Sequence, residues 1–82
     1  MMQVKIKFFA VARDAAGRDE CLLTLPEGSS VSTALDRIID QYPQLKKWKE
    51  HLAIAVNLNY VSREDVLHPD DEIAVIPPVS GG

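Results

Sequence analysis

Eighty-two residues leave room for one hydrophobic core and no second domain. A hydrophobic share of 46% beside 26% charged residues is that of an ordinary globular chain, and a net charge of −3 gives none of the basic face that nucleic acid demands. The single cysteine, Cys21, excludes an internal disulfide and a cysteine-built zinc or iron–sulfur site, which suits a reducing compartment.

The chain opens on "QVKIKFF" (3–9), where Val4, Ile6 and Phe8 face one way and Lys5, Lys7 and Phe9 the other. A period of two predicts a strand with one buried face, not the long apolar run of a signal peptide. "ARDAAGRDE" (12–20) reads as a polar connector with Gly17 as its turn residue and room for a helical turn. "CLLTL" (21–25) resumes the alternation with Cys21, Leu23 and Leu25 on one face, so the two strands form a hairpin with a long loop.

"PEGSS" (26–30) breaks the pattern and offers Ser30 as an N-cap. Val31, Ala34, Leu35, Ile38, Ile39 and Tyr42 then recur at spacings of three and four, one apolar face of a helix that Pro43 ends. "QLKKWKEHL" (44–52) is basic and irregular, with room for a short helical turn and with Trp48 expected against the main helix. "AIAVNLNYV" (53–61) reads as a strand, a tight turn around Asn57 and Asn59, and a short strand. After an acidic loop (62–72), "EIAVIP" (72–77) is a last strand with Ile73 and Val75 on one face and Ala74 and Ile76 on the other. No run approaches the roughly 20 apolar residues that cross a bilayer, so the expected location is the cytoplasm. This order predicts an α+β fold, one main helix packed on one face of a sheet.

Candidate chemistry is sparse. His51 and His68 are seventeen residues apart and lack the closely spaced partners of a metal site. Cys21 falls on an inward strand face with no activating base beside it in the sequence. Glu64, Asp65, Asp70, Asp71 and Glu72 lack the alternating ligands and glycine turn of a calcium loop and read as a solvated loop. Lys46, Lys47 and Lys49 around Trp48 are too few for a nucleic-acid footprint.

The tail is different. From Ile73 to Gly82 no side chain carries a charge, so the terminal carboxylate is the one ionised group there. Pro77 and Pro78 hold the approach extended and limit the entropy lost on insertion, while Gly81 and Gly82 lack Cβ atoms and can enter a narrow channel. A frayed end is the usual alternative, but frayed ends are polar and "AVIPPVSGG" is mostly apolar. A carboxylate on such a probe becomes a carrier group once ATP converts it to an acyl-adenylate.

"VKIKFFAVARDAAG", "AVN", "HPDDEIAVIPPVSGG" and the terminal Gly-Gly together resemble the small subunits of molybdopterin synthase, which are ubiquitin-like β-grasp sulfur carriers. The resemblance implies a mixed sheet with one main helix, a domain over 1–77 and an extended tail over 78–82. It implies that the Gly82 carboxylate, carried on Gly81, is adenylated by an E1-like enzyme using ATP and then turned into a 1-thioglycine thiocarboxylate by a sulfur donor protein. Sulfur would pass to cyclic pyranopterin monophosphate inside a heterotetramer with the large subunit, whose side chains do the catalysis; no cofactor or metal is bound by this chain. Pro77, Pro78, Val79 and Ser80 would thread into the partner. Phe9 and Ile76 would form the docking face on the uncovered side of the sheet, unless a loop covers Phe9, and Arg13 would pair with a partner acid. One departure is "PDDE", where the family often has a glycine turn, so Asp70 or Asp71 must take the turn geometry. The rivals are a thiamine-pathway sulfur carrier, a ubiquitin-like modifier that bonds to lysines, and an interaction module whose tail is incidental.

Overall fold

A computed structural model describes residues 1–78, so the part of the predicted tail from 79 to 82 lies outside the described residues. The elements are β1 (Met2–Phe8), α1 (Ala10–Ala16), β2 (Glu20–Leu25), α2 (Val31–Gln41), a 3-10 helix (Pro43–His51), β3 (Ala53–Val56), β4 (Asn59–Tyr60) and β5 (Glu72–Ile76). The five strands form one sheet in the order β2-β1-β5-β3-β4, with β1 and β5 parallel and every other pair antiparallel. The first and last strands of the chain are therefore neighbours at its centre.

The alternation in β1 works as the sequence predicts. Val4, Ile6 and Phe8 are buried, and in register beside them Ile73 and Val75 of β5 and Leu23 and Leu25 of β2 are buried too. Cys21, opposite Ile6, is half-buried against the same core. Over this face lies α2, with Val31, Ala34, Leu35, Ile38 and Ile39 buried. Ser30 caps it by accepting a 3.3 Å hydrogen bond from the Thr33 N–H. Tyr42 ends it, donating its N–H to the Ile38 carbonyl, before Pro43 closes the helical option. The Tyr42 ring meets Phe8 edge to face at 5.3 Å between centroids. Burial first, and then a hydrogen bond with Cys21, push its phenol above the ordinary tyrosine value.

Four expectations change in detail. The polar connector begins as a helix at Ala10, and Ala12 is fully buried beneath it. The basic segment is a nine-residue 3-10 helix because Leu45 anchors it in the core and the Arg63 guanidinium donates to the Lys49 and Leu52 carbonyls at 3.1 and 3.0 Å. Trp48, expected against the main helix, lines grooves with Val11 and Ala15 of α1 and with Pro77 and Pro78. The acidic loop is not wholly solvated: Leu67 is buried, and Asp71 is 8% exposed.

The Asp71 carboxylate accepts from Asn57 Nδ2 at 2.9 Å and from the His68 N–H at 2.8 Å. Asn57 in turn accepts from the Glu72 N–H through its Oδ1 at 3.0 Å. These bonds pin the β3–β4 hairpin to the start of β5. Asp70 supplies the glycine-like geometry that "PDDE" requires, at φ 67°.

Candidate functional site

Among the described residues the outer face of the sheet carries no helix, and the registers place its side chains in rows. Lys7 of β1, Ala74 of β5, Ala55 of β3 and Tyr60 of β4 lie side by side. One step along, Ile76 lies opposite Ala53, and Phe9 follows the end of β1 with its N–H donated to the Val75 carbonyl at 3.3 Å. The two alanines are a low floor. Around it Phe9, Ile76, Leu58 and Tyr60 form the walls of a groove of about 390 Å³, closed by Lys7 and Glu72, which pair at 3.5 Å. Phe9 is 47% exposed, so its own loop does not cover it.

A second groove, of about 560 Å³, lies round the corner between Phe9, Val11, Trp48, Ile76 and the arm residues Pro77 and Pro78. Phe9 and Ile76 are common to both grooves. Pro77 is buried and Pro78 is exposed. The arm thus leaves the central strand β5 between two apolar surfaces. Predicted residues Phe9, Ile76, Pro77 and Pro78 come together here, while Val79, Ser80, Gly81 and Gly82 lie outside the described residues. Arg13 is exposed at the rim of a neighbouring depression with Phe9, and its Nε lies 3.7 Å from an Asp19 carboxylate oxygen. An exposed pair at that distance is worth little and leaves the guanidinium open to a stronger partner.

The sequence reading put Ala74 on this face with Ile76 but missed Leu58, Tyr60 and Ala55 as part of it. Tyr60 was legible in principle, because a tight hairpin places it opposite Ala55 and extends the outer row. The turn itself is Asn57-Leu58, with Asn59 already in β4. Both turn residues have positive φ, 51° and 72°, as a type I′ hairpin turn requires. For leucine that backbone region costs roughly 1–2 kcal/mol. Among the described residues no group of three or more potential metal ligands occurs, and no helix is long and apolar enough to cross a membrane.

Strand order, one main helix on one face and a central last strand define a ubiquitin-like β-grasp domain. An archaeal ubiquitin, from Caldiarchaeum subterraneum, shares that fold at a TM-score of 0.67 and 14% identity, over 99% of this chain and 98% of its own. Within this class the chain belongs to the ThiS family, which it matches over residues 6–82. It is similar to the molybdopterin synthase sulfur carrier subunit of Dictyostelium discoideum, 42% identical over 98% of this chain and 96% of that protein. It is also similar to a chain in the complex of subunits 1 and 2 of the molybdopterin-converting factor from Helicobacter pylori. That likeness has a TM-score of 0.68 at 26% identity, over 99% of this chain and all of that one. Small archaeal modifier protein 1 from Methanosarcina acetivorans is similar at a TM-score of 0.83 and 36% identity, over 100% of this chain and 98% of that one.

Proposed function

We propose that the chain is the sulfur-carrying small subunit of a molybdopterin synthase, acting in the cytoplasm. The observation that carries this reading is the end-to-end match to a named carrier subunit, 42% identical over 98% of the chain.

In this reading the Gly82 carboxylate attacks the α-phosphorus of ATP on an E1-like activating enzyme, and pyrophosphate leaves. A sulfide equivalent from a sulfur donor protein then attacks the acyl carbon, AMP leaves, and the terminus becomes a thiocarboxylate. Gly81 and Gly82 let the backbone enter the partners' channels closely, and Pro77 and Pro78 keep the arm extended with Val79 and Ser80 inside the partner. The outer sheet face with Phe9 and Ile76 docks on the large synthase subunit, with Arg13 meeting an acidic side chain of that partner. There the thiocarboxylate sulfur bonds to a carbon of cyclic pyranopterin monophosphate, giving a thioester. Water cleaves the acyl–sulfur bond of that thioester, the sulfur stays on the pterin and the carboxylate returns. Catalytic side chains belong to the partner.

The test is the intact mass of the full chain after incubation with ATP, activating enzyme and a sulfide source, with fragmentation to place the change. Exchange of one oxygen for sulfur on Gly82, followed by turnover of the pterin precursor with the large subunit, is the expected result. Deleting Gly81 and Gly82 abolishes it while the melting temperature stays the same. A thiocarboxylate that feeds thiazole formation but not the synthase reaction moves the chain to the thiamine pathway. The 36% identity to the Methanosarcina modifier favours one further reading, a protein modifier, and there the same arm appears as isopeptide adducts on lysines.

A further inference from the structure

Six described residues have positive φ: Gly17, Gly28, Asn57, Asp70, Ala10 and Leu58. The first four are residue types that tolerate the left-handed region. The other two border the outer-face site, Ala10 directly after Phe9 and Leu58 on the groove wall. Leu58 is the one bulky side chain of the six, and at 92% exposed it makes almost no contact that would repay its backbone. Glycine at this position would complete Asn-Gly, the pair that a type I′ turn prefers. The fold gains nothing from the leucine, and such strain concentrates where function requires a side chain.

We propose that Leu58 is a docking anchor: with Phe9 it brackets the Ala55–Ala74 floor and grips an apolar side chain of the large synthase subunit. This rests on the reading of the outer face given above and deepens it. The floor of methyl groups between Phe9, Ile76, Leu58 and Tyr60 is shaped for one bulky apolar group, and the Lys7–Glu72 pair closes it with a polar rim. The occupant is the large subunit because Ile76, a groove wall, leads directly into the arm, and whatever seats the arm must lie over this groove. A relative of this chain from Helicobacter pylori is found with its second subunit.

The test uses full-length chains titrated onto the large synthase subunit by calorimetry, with melting curves of each free chain. Leu58→Gly is expected to raise the melting temperature by roughly 2–6 °C and to weaken association about tenfold or more. Leu58→Ala keeps the backbone cost, so it weakens association alike without the rise. Phe9→Asp serves as the control on the face itself and is expected to abolish measurable association. Unchanged association in both Leu58 variants, with Phe9→Asp disrupted, overturns the anchor and leaves the docking face standing. No loss in Phe9→Asp either overturns the face reading. A fall in the melting temperature of Leu58→Gly overturns the claim that leucine is held there against the fold's interest.

Discussion

One sheet carries two faces made from the same strands, and they are built to different ends. On the inner face Val4, Ile6 and Phe8 alternate with the outer Lys5 and Lys7, and every inward side chain of β1 is at most 3% exposed. On the outer face the same strands present Lys7, Ala74 and Ala55, with Phe9, Ile76 and Tyr60 around them and, among the described residues, no element on top. Apolar surface left bare on so small a domain marks a partner surface. The contrast teaches that hydrophobicity here has two employers. Inside it holds the fold, and outside it forms the surface proposed above to receive a second protein.

The largest effect should come from breaking the inner face. Ile6 is fully buried between Cys21 of β2 and Ile73 of β5. Ile6→Ala removes three carbons from the centre of the sheet and should cost about 2–5 kcal/mol. Domains of this kind hold only about 5–15 kcal/mol in total. Urea denaturation should therefore find its midpoint sharply lowered. Ile76→Ala, its counterpart outside, should move that midpoint little and instead weaken association with the large subunit. Equal losses of stability from both substitutions would erase the distinction between the faces.

Asp71 joins the two faces and should give the next largest effect. Its carboxylate holds Asn57 and the His68 N–H, so the hairpin that presents Leu58 and Tyr60 hangs from it. Asp71→Ala leaves both donors short of an acceptor in a nearly closed site, at about 1–3 kcal/mol. It should also weaken docking, because the outer wall loses its support. A stability loss with docking unchanged would mean that the hairpin keeps its place through β3 pairing alone.

How much of this was legible follows from length and period. Seven residues of β1 and eleven of α2 display their repeat several times over, so the buried faces of both could be read directly. β4 has two residues, too few for any period, and its outward Tyr60 is visible only once Ala55 is known to lie opposite. Leu58 was hidden because leucine is a poor signal for a left-handed turn. The burial of Asp71 was hidden because its partners Asn57 and His68 lie far and near in sequence with no pattern linking them. Comparison with the family's glycine turn left Asp70 or Asp71 for the positive-φ position, and the structure gives it to Asp70, aspartate being a residue that tolerates that region.

The smallest expected effect sharpens the inner face through pH. Tyr42 packs its ring edge against Phe8, and burial, then Cys21, raise the pKa of its phenol. In the unfolded chain that phenol ionises near its ordinary value of about 10. The folded state favours the neutral form, so this contribution to stability is fully present below the unfolded pKa. It is lost as pH rises through the folded pKa, because the unfolded state sheds its proton first. Melting curves of the full chain between about pH 9 and pH 11 should therefore fall more steeply than those of Tyr42→Phe. Lysine titration is common to both proteins and cancels in the comparison. Parallel curves would mean that the hydroxyl meets as much water folded as unfolded, and that the edge of the inner face near Cys21 is open where the packing of Tyr42 on Phe8 says it is closed.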